Sequence, residues 1–169
     1  MSPGEGSGGD LWVMDVVEST DEEVYAAHAA EVVRFACTLV GATDAPDVTA
    51  DAFVKVTTSS VWADARDPKA LWMRAVVFQA RTWQRANSRR RAREHRAPRV
   101  PTVVAGPEPG DPHVAAALEQ LPMQQRAAVV LTYWLDLDPA GVADVLGVSE
   151  GTVRKQLARA RARIREVLS

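Results

Sequence analysis

Six cations and no acid lie between residues 154 and 165: Arg154, Lys155, Arg159, Arg161, Arg163 and Arg165. Such an arc can neutralise phosphates and hold a register along a duplex. Val153, Leu157, Ala160, Ile164 and Val167 are interleaved with it at steps of four, three, four and three. That spacing gathers them on one side of a helix as a core-facing seam. Thr152, Lys155 and Arg159 fall on or near the opposite side in the early turns, where side chains reach base edges. Ser149 stands just before them as an N-cap, its hydroxyl able to accept from a free backbone N–H of the first turn.

The elements that must position these residues are legible on both sides of the cap. A short helix pattern covers Pro139 to Leu146 and runs into Gly147-Val148-Ser149, and the basic helix follows. This is the outline of a helix-turn-helix, the unit that lays a helix in the major groove of DNA. Charge alone would fit a solvated basic face; turn, cap, apolar seam and charge together favour the DNA-binding reading.

With 169 residues, 47% of them hydrophobic and 25% charged, the chain can bury the cores of one or two small domains. The net charge of −2 hides an uneven layout. Residues 1–33 carry eight acids and no Lys or Arg, whereas residues 81–99 carry eight arginines against the single acid Glu94. The local field, not the total, steers a polyanion. The single cysteine, Cys37, lies in an apolar helix pattern, reads as a small core residue and allows no internal disulfide. The first ten residues have no basic segment, so no signal peptide is expected. The longest apolar runs are too short to span a bilayer, and a cytoplasmic protein is the expectation.

The pattern along the chain is helical throughout. Residues 1–10 are Gly, Ser and acid, with the composition of disorder. Leu11 to Val17 is a short apolar stretch that suits either a packed helical turn or a partner-seeking segment. Thr20 and Glu23 have capping-box spacing and open a helix to about Leu39, with Gly41 as its stop. Val24, Ala27, Val32, Phe35, Ala36 and Leu39 are its apolar positions. A second helix starts near Pro46, its inner side made by Val48, Ala52, Phe53 and Val56, and it weakens at Thr57-Thr58-Ser59-Ser60. Asp67-Pro68 caps a long third helix to about Arg93, with Leu71, Trp72, Ala75, Val76, Phe78 and Ala80 among its apolar positions. Five prolines and two glycines between His95 and His113 mark a partly extended linker. Helices restart at Asp111-Pro112 and at Leu121-Pro122. The expected fold is all-α: an acidic segment (1–19), a helical domain (20–94), a Pro-rich linker (95–111) and a helix-turn-helix domain (112–169).

This order of parts resembles the extracytoplasmic function sigma factors of bacteria, the minimal group of the sigma-70 class. The second domain carries the stronger likeness to sigma region 4, through Leu121-Pro122-x-x-x-Arg126, the stretch from Ala143 to Val153 (ADVLGVSEGTV) and the Ala-Arg-Ala-Arg ending. The first domain resembles region 2 through Gly41, Asp44 to Val56, and Asp67 to Arg93. DPKALWMRAVV and NSRRRARE look most like actinobacterial members. The chain departs from the family at Pro46 and Ala50, where Glu and Gln are common, at Gln79, where Asn is common, and at Gly141, where region 4 usually has Glu.

The resemblance implies a protein without catalytic chemistry or a cofactor, whose partners are RNA polymerase core, promoter DNA and, in many members, an anti-sigma factor. Region 4 would bind the −35 duplex, with Ser149, Thr152, Lys155 and Arg159 at or near base edges and Arg154, Arg161 and Arg163 on phosphates. Region 2 would hold the opened −10 strand through Trp62, Arg74, Arg81, Trp83 and Arg85, with Arg89, Arg90 and Arg91 gripping its backbone. Trp62 and Trp83 suit either a base platform or core packing; Trp72 reads as core. Asp47, Asp51 and Lys55 would face the polymerase.

Two other functions fit parts of the chain: a sigma-like DNA-binding regulator that does not start transcription, and a helical protein-interaction module. The acids from Glu5 to Glu23 could mask the arginine surfaces or simply solubilise the chain. His28, His95 and His113 lack metal-ligand spacing, so no metal site is expected. No Gly-rich phosphate loop, triad motif or helix-borne His-Glu-x-x-His appears.

Overall fold

The computed structural model describes residues 19–94 and 111–169. The acidic segment up to Glu18, the Leu11–Val17 stretch and most of the Pro-rich linker lie outside the described residues. Seven helices form in them, and among the described residues there is no strand.

Helix α1 (Asp21–Val40) begins with the expected capping box: Glu23 N donates to Thr20 Oγ1 at 3.3 Å, and Thr20 N donates to Glu23 Oε2 at 2.9 Å. It stops at Gly41, whose φ of 89° suits glycine. Helix α2 (Ala45–Thr57) has Pro46 in its first turn. At its end Thr57 and Thr58 donate their hydroxyls to the Phe53 and Val54 carbonyls at 3.0 and 2.9 Å, and Ser59 to Val56 O at 2.6 Å. Side-chain hydroxyls thus compete for backbone acceptors where the helix fails. Helix α3 (Pro68–Glu94) starts under Asp67, which accepts from Ala70 N at 3.0 Å.

These three helices pack on one another around Trp72, which is fully buried and donates its indole N–H to Thr49 O at 3.1 Å. Phe53 and Tyr25 lie against the Trp72 ring, with centroids 4.6 and 5.4 Å away. Cys37 is buried, as its apolar setting implied, and burial pushes its thiol pKa up. Lys69 on α3 pairs with Glu31 on α1 at 3.2 Å.

The second body comprises α4 (Pro112–Glu119), α5 (Met123–Tyr133), α6 (Pro139–Leu146) and α7 (Glu150–Leu168). Asp111 caps α4 and Asp138 caps α6, accepting from His113 N at 2.8 Å and Gly141 N at 2.7 Å. Gly147 adopts φ 65°, ψ 40° and closes α6 in the left-handed region that glycine favours.

The two bodies are docked. One continuous cluster of buried side chains runs from Val32 on α1 through Trp72 and Val76 on α3 to Leu146, Val153 and Ala160. α1 meets α5, and α3 meets α6.

Three apolar positions face outward, of which only Val167 had been expected on a core-facing seam. Phe78 is 64% exposed, because at 100° per residue it lies opposite the side of α3 filled by Trp72, Val76 and Ala80. Val167 is 46% exposed, since every residue after Ile164 is exposed and nothing covers the last turn. Ala27 is also exposed.

Candidate nucleic-acid interface

The helix-turn-helix is assembled as its sequence implied. Ser149 Oγ accepts from Thr152 N at 3.2 Å and lies 3.0 Å from Thr152 Oγ1. Val153, Leu157 and Ala160 are buried, which fixes the rotation of α7 about its axis. Arg154, Lys155, Arg159, Arg161 and Arg163 are exposed as a consequence. At 100° per residue the exposed side divides into two stripes: Thr152, Lys155, Arg159 and Arg163 on one flank, Arg154, Arg161 and Arg165 on the other. Arg161 is tied down, donating from Nε and Nη2 to Tyr133 Oη at 3.2 and 2.9 Å. Tyr133 was not singled out from sequence, because its role depends on a residue 28 positions away.

On α3, Arg74, Arg81 and Arg85 follow at steps of seven and four and share one side. Phe78 projects between them. Arg74, Arg85, Arg89, Arg90 and Arg91 are exposed. Arg81 is half-buried and donates from Nη2 to the Leu146 carbonyl at 3.0 Å. The Gln124 amide, oriented with its oxygen toward α3, accepts from Arg81 Nε at 3.0 Å and Nη2 at 2.7 Å. Burial first, and the neighbouring Arg85 charge second, lower the Arg81 pKa. Around this point Arg81, Gln84, Arg85, Ser88 and Arg89 of α3 face Met123 and Gln124 of α5 across a basic groove.

The two tryptophans of the expected −10 surface are packing residues in this arrangement. Trp62, in the loop before α3, is partly buried; its indole N–H donates to Asp21 Oδ1 at 2.6 Å, and its ring meets Phe53 edge-on at 5.8 Å. Trp83 packs against the core from the side of α3 opposite Phe78. Asp47, Asp51 and Lys55 share one exposed stripe of α2, with exposed Val54 beside it.

Arg126 is the functional-looking residue whose role the sequence did not disclose, although it ends the Leu-Pro-x-x-x-Arg motif. Its Nε donates to Leu118 O at 2.9 Å, and its Nη2 to Glu119 O at 3.2 Å and Leu121 O at 3.0 Å. Its Nη1 crosses to α1 and donates to Thr38 O at 2.9 Å. Among the described residues no cluster of His, Cys, Asp or Glu could hold a metal ion, and no helix is long and apolar enough to cross a membrane.

Residues 114–164 match the family model described as Sigma-70, region 4. That span takes in α5 and α6 whole and most of α4 and α7. The ECF RNA polymerase sigma factor SigM of Mycobacterium tuberculosis is 49% identical over 55 residues, which is 32% of this chain but 28% of that protein's length. The RNA polymerase sigma-E factor of Streptomyces coelicolor is 32% identical over 129 residues, covering 74% of this chain and 72% of the relative. The chain belongs to the extracytoplasmic function sigma factors. Solved structures agree on the fold of this sigma factor. The sigma factor RpoE, in complex with the anti-sigma factor NepR from Bartonella quintana, superposes with a TM-score of 0.66 at 20% identity, covering 87% of this chain and 95% of that one. CnrH, in complex with the cytosolic domain of CnrY, gives a TM-score of 0.59 at 25% identity, over 88% and 86% of the two chains.

Proposed function

We propose that this sigma factor binds RNA polymerase core in the cytoplasm and directs it to promoters, adding specificity rather than bond chemistry. The helix-turn-helix domain (112–169) reads the −35 element as duplex, and the first domain (20–94) holds the opened −10 strand. The observation that carries the proposal is the rotation of α7: burial of Val153, Leu157 and Ala160 leaves Lys155, Arg159 and Arg163 exposed along one stripe, with Thr152 half-buried at its head. A helix so presented can enter a major groove with Lys155 or Arg159 at guanine O6 and N7. Arg154 and Arg161, exposed on the other flank, take the phosphates.

On the first domain, the α3 arginines supply a cationic track and Phe78 supplies the aromatic face that single strands need. Phe78 suits that role better than Trp62 and Trp83, whose rings are engaged in packing. Arg89, Arg90 and Arg91 extend the track along the strand backbone. The exposed stripe of Asp47, Asp51 and Lys55 on α2 is the polymerase-facing surface. Likeness to RpoE, which is bound by NepR, supports an anti-sigma factor as a further partner.

The test is run-off transcription with reconstituted polymerase core on a pool of genomic promoters. Transcripts from a discrete set of start sites are expected only when the protein is added. An absence of such transcripts, with duplex binding intact, would reduce the protein to a DNA-binding regulator.

A further inference from the structure

Arg161 shares an exposed flank of α7 with Arg154 and Arg165. It differs from both in having a fixed partner, and the partner is neutral. Its Nε and Nη2 donate to the phenol oxygen of Tyr133 at 3.2 and 2.9 Å. No carboxylate among the described residues pairs with Arg161, so its whole charge is available to an anion. Two donors meeting one oxygen hold the planar guanidinium in a single orientation. Its Nη1 donors are left for another acceptor.

Tyr133 is placed for this by α5. It is the last residue of that helix, which packs on α7. Burial of Val130 and Leu131 on the opposite side turns the Tyr133 ring outward, where it is 54% exposed. The phenol oxygen keeps its own hydrogen while it accepts from Arg161. With the acceptor side taken by a cation, the hydroxyl is left to act as a donor. The bonded cation strengthens it in that role.

A charged Nη1–H and a neutral O–H thus stand together at one exposed point beside the recognition helix. That combination suits an oxyanion with a whole charge and several acceptor oxygens around it, as in a phosphodiester. Continuity selects the backbone of a duplex over a free anion: Arg154 and Arg165 extend the row, and no acid lies between residues 154 and 165. Resting on the promoter reading above, we propose that Tyr133 and Arg161 form one clamp for a single phosphate of the −35 duplex. Tyr133 orients the guanidinium and donates its own hydrogen to a phosphate oxygen. The clamp has a further consequence. Tyr133 lies on α5, outside the two helices of the helix-turn-helix, so it gives the domain a second attachment that fixes the angle of α7 in the groove.

The test takes the full chain, a random-sequence duplex and a salt series. Arg161→Ala should reduce the salt slope by about 1, as loss of one phosphate contact requires. Tyr133→Phe keeps the ring and every charge. Its slope should hold while affinity falls about three- to tenfold at each salt concentration, the range of one net hydrogen bond. Together the two substitutions should cost less than the product of their separate losses, because both act on one phosphate. A structural tie alone would not choose a phosphate. On a promoter duplex carrying one methylphosphonate at a time, the parent should therefore lose affinity at one −35 position where Tyr133→Phe loses little. Equal duplex affinity of parent and Tyr133→Phe, losses that multiply in the double variant, or identical methylphosphonate profiles overturn the clamp. A parent that binds duplex but starts no transcript sinks the promoter reading instead, and the salt series on random duplex still decides whether the pair grips a phosphate.

Discussion

Arg126 Nη1 donates to the Thr38 carbonyl across 88 positions of sequence, at 2.9 Å. The same guanidinium holds the carbonyls of Leu118, Glu119 and Leu121 where α4 ends and α5 begins. One side chain therefore satisfies orphan acceptors at the end of α4 and in the last turn of α1. Its positive charge lies where both helix dipoles are negative.

Arg126→Ala should lower stability by about 3 kcal/mol, since several charge-assisted bonds go and their carbonyls lose a partner. Urea midpoints measure it. Arg126→Lys should not restore the loss, because an ammonium cannot reproduce the planar fork that reaches four carbonyls. Full stability in the lysine variant would contradict this account.

Trp72→Phe should cost about 2 kcal/mol from the lost bond to Thr49 O and the lost ring volume, and Trp72→Ala about 3–5 kcal/mol. The aromatic cluster of Tyr25, Phe53 and Trp62 around it should lose its near-ultraviolet dichroism in the alanine variant.

Lys155→Ala and Arg159→Ala should each weaken −35 duplex binding by about 1–3 kcal/mol and relax the sequence preference. Arg163→Ala, if it grips only phosphate, should weaken all duplexes alike and reduce the salt slope by about 1. All three side chains are exposed, so melting temperatures should hold within the small range of surface substitutions.

The three aromatic residues near the α3 track should separate cleanly. Phe78→Ala should leave stability unchanged and weaken single-strand binding by about 1–3 kcal/mol, the range of one base-stacking contact. Trp62→Ala and Trp83→Ala should destabilise the first domain, because both rings pack on the core. Loss of strand binding in a fully folded Trp83→Ala protein, with Phe78→Ala silent, would reverse the assignment.

Gly141→Ala removes a residue that costs about 1 kcal/mol in a helix. The new Cβ would come 3.0 Å from Asp138 Oδ1, the oxygen that caps α6 through Gly141 N. Asp138 is exposed and can yield by a few tenths of an ångström, so a gain below about 1 kcal/mol is expected. A net loss in thermal denaturation would mean that the cap cannot move.

Local chemistry explains why so much was legible from residue order. The capping box at Thr20, the prolines after Asp67, Asp111 and Asp138, and the stop at Gly147 act within one helical turn, so their outcome needs no distant partner. The seam of Val153, Leu157 and Ala160 likewise set the outward side of α7, and with it the exposure of Lys155 and Arg159. The side of Phe78 stayed open, because an apolar side chain carries no label for which side of a long helix it occupies. Indole rings are ambiguous in the same way. Trp62 and Trp83 could be platforms or packing until their neighbours were known.

What residue order alone determined is the set of helices, their caps, the outward stripe of α7 and the family likeness, all products of short-range bonding and a 3.6-residue period. Tertiary structure alone decided that Arg81 meets Leu146, that Arg126 reaches Thr38 and that the two bodies share a core. Those contacts join residues 65 and 88 positions apart. Side-chain types do not encode such pairings singly; they arise only when whole apolar faces are buried together.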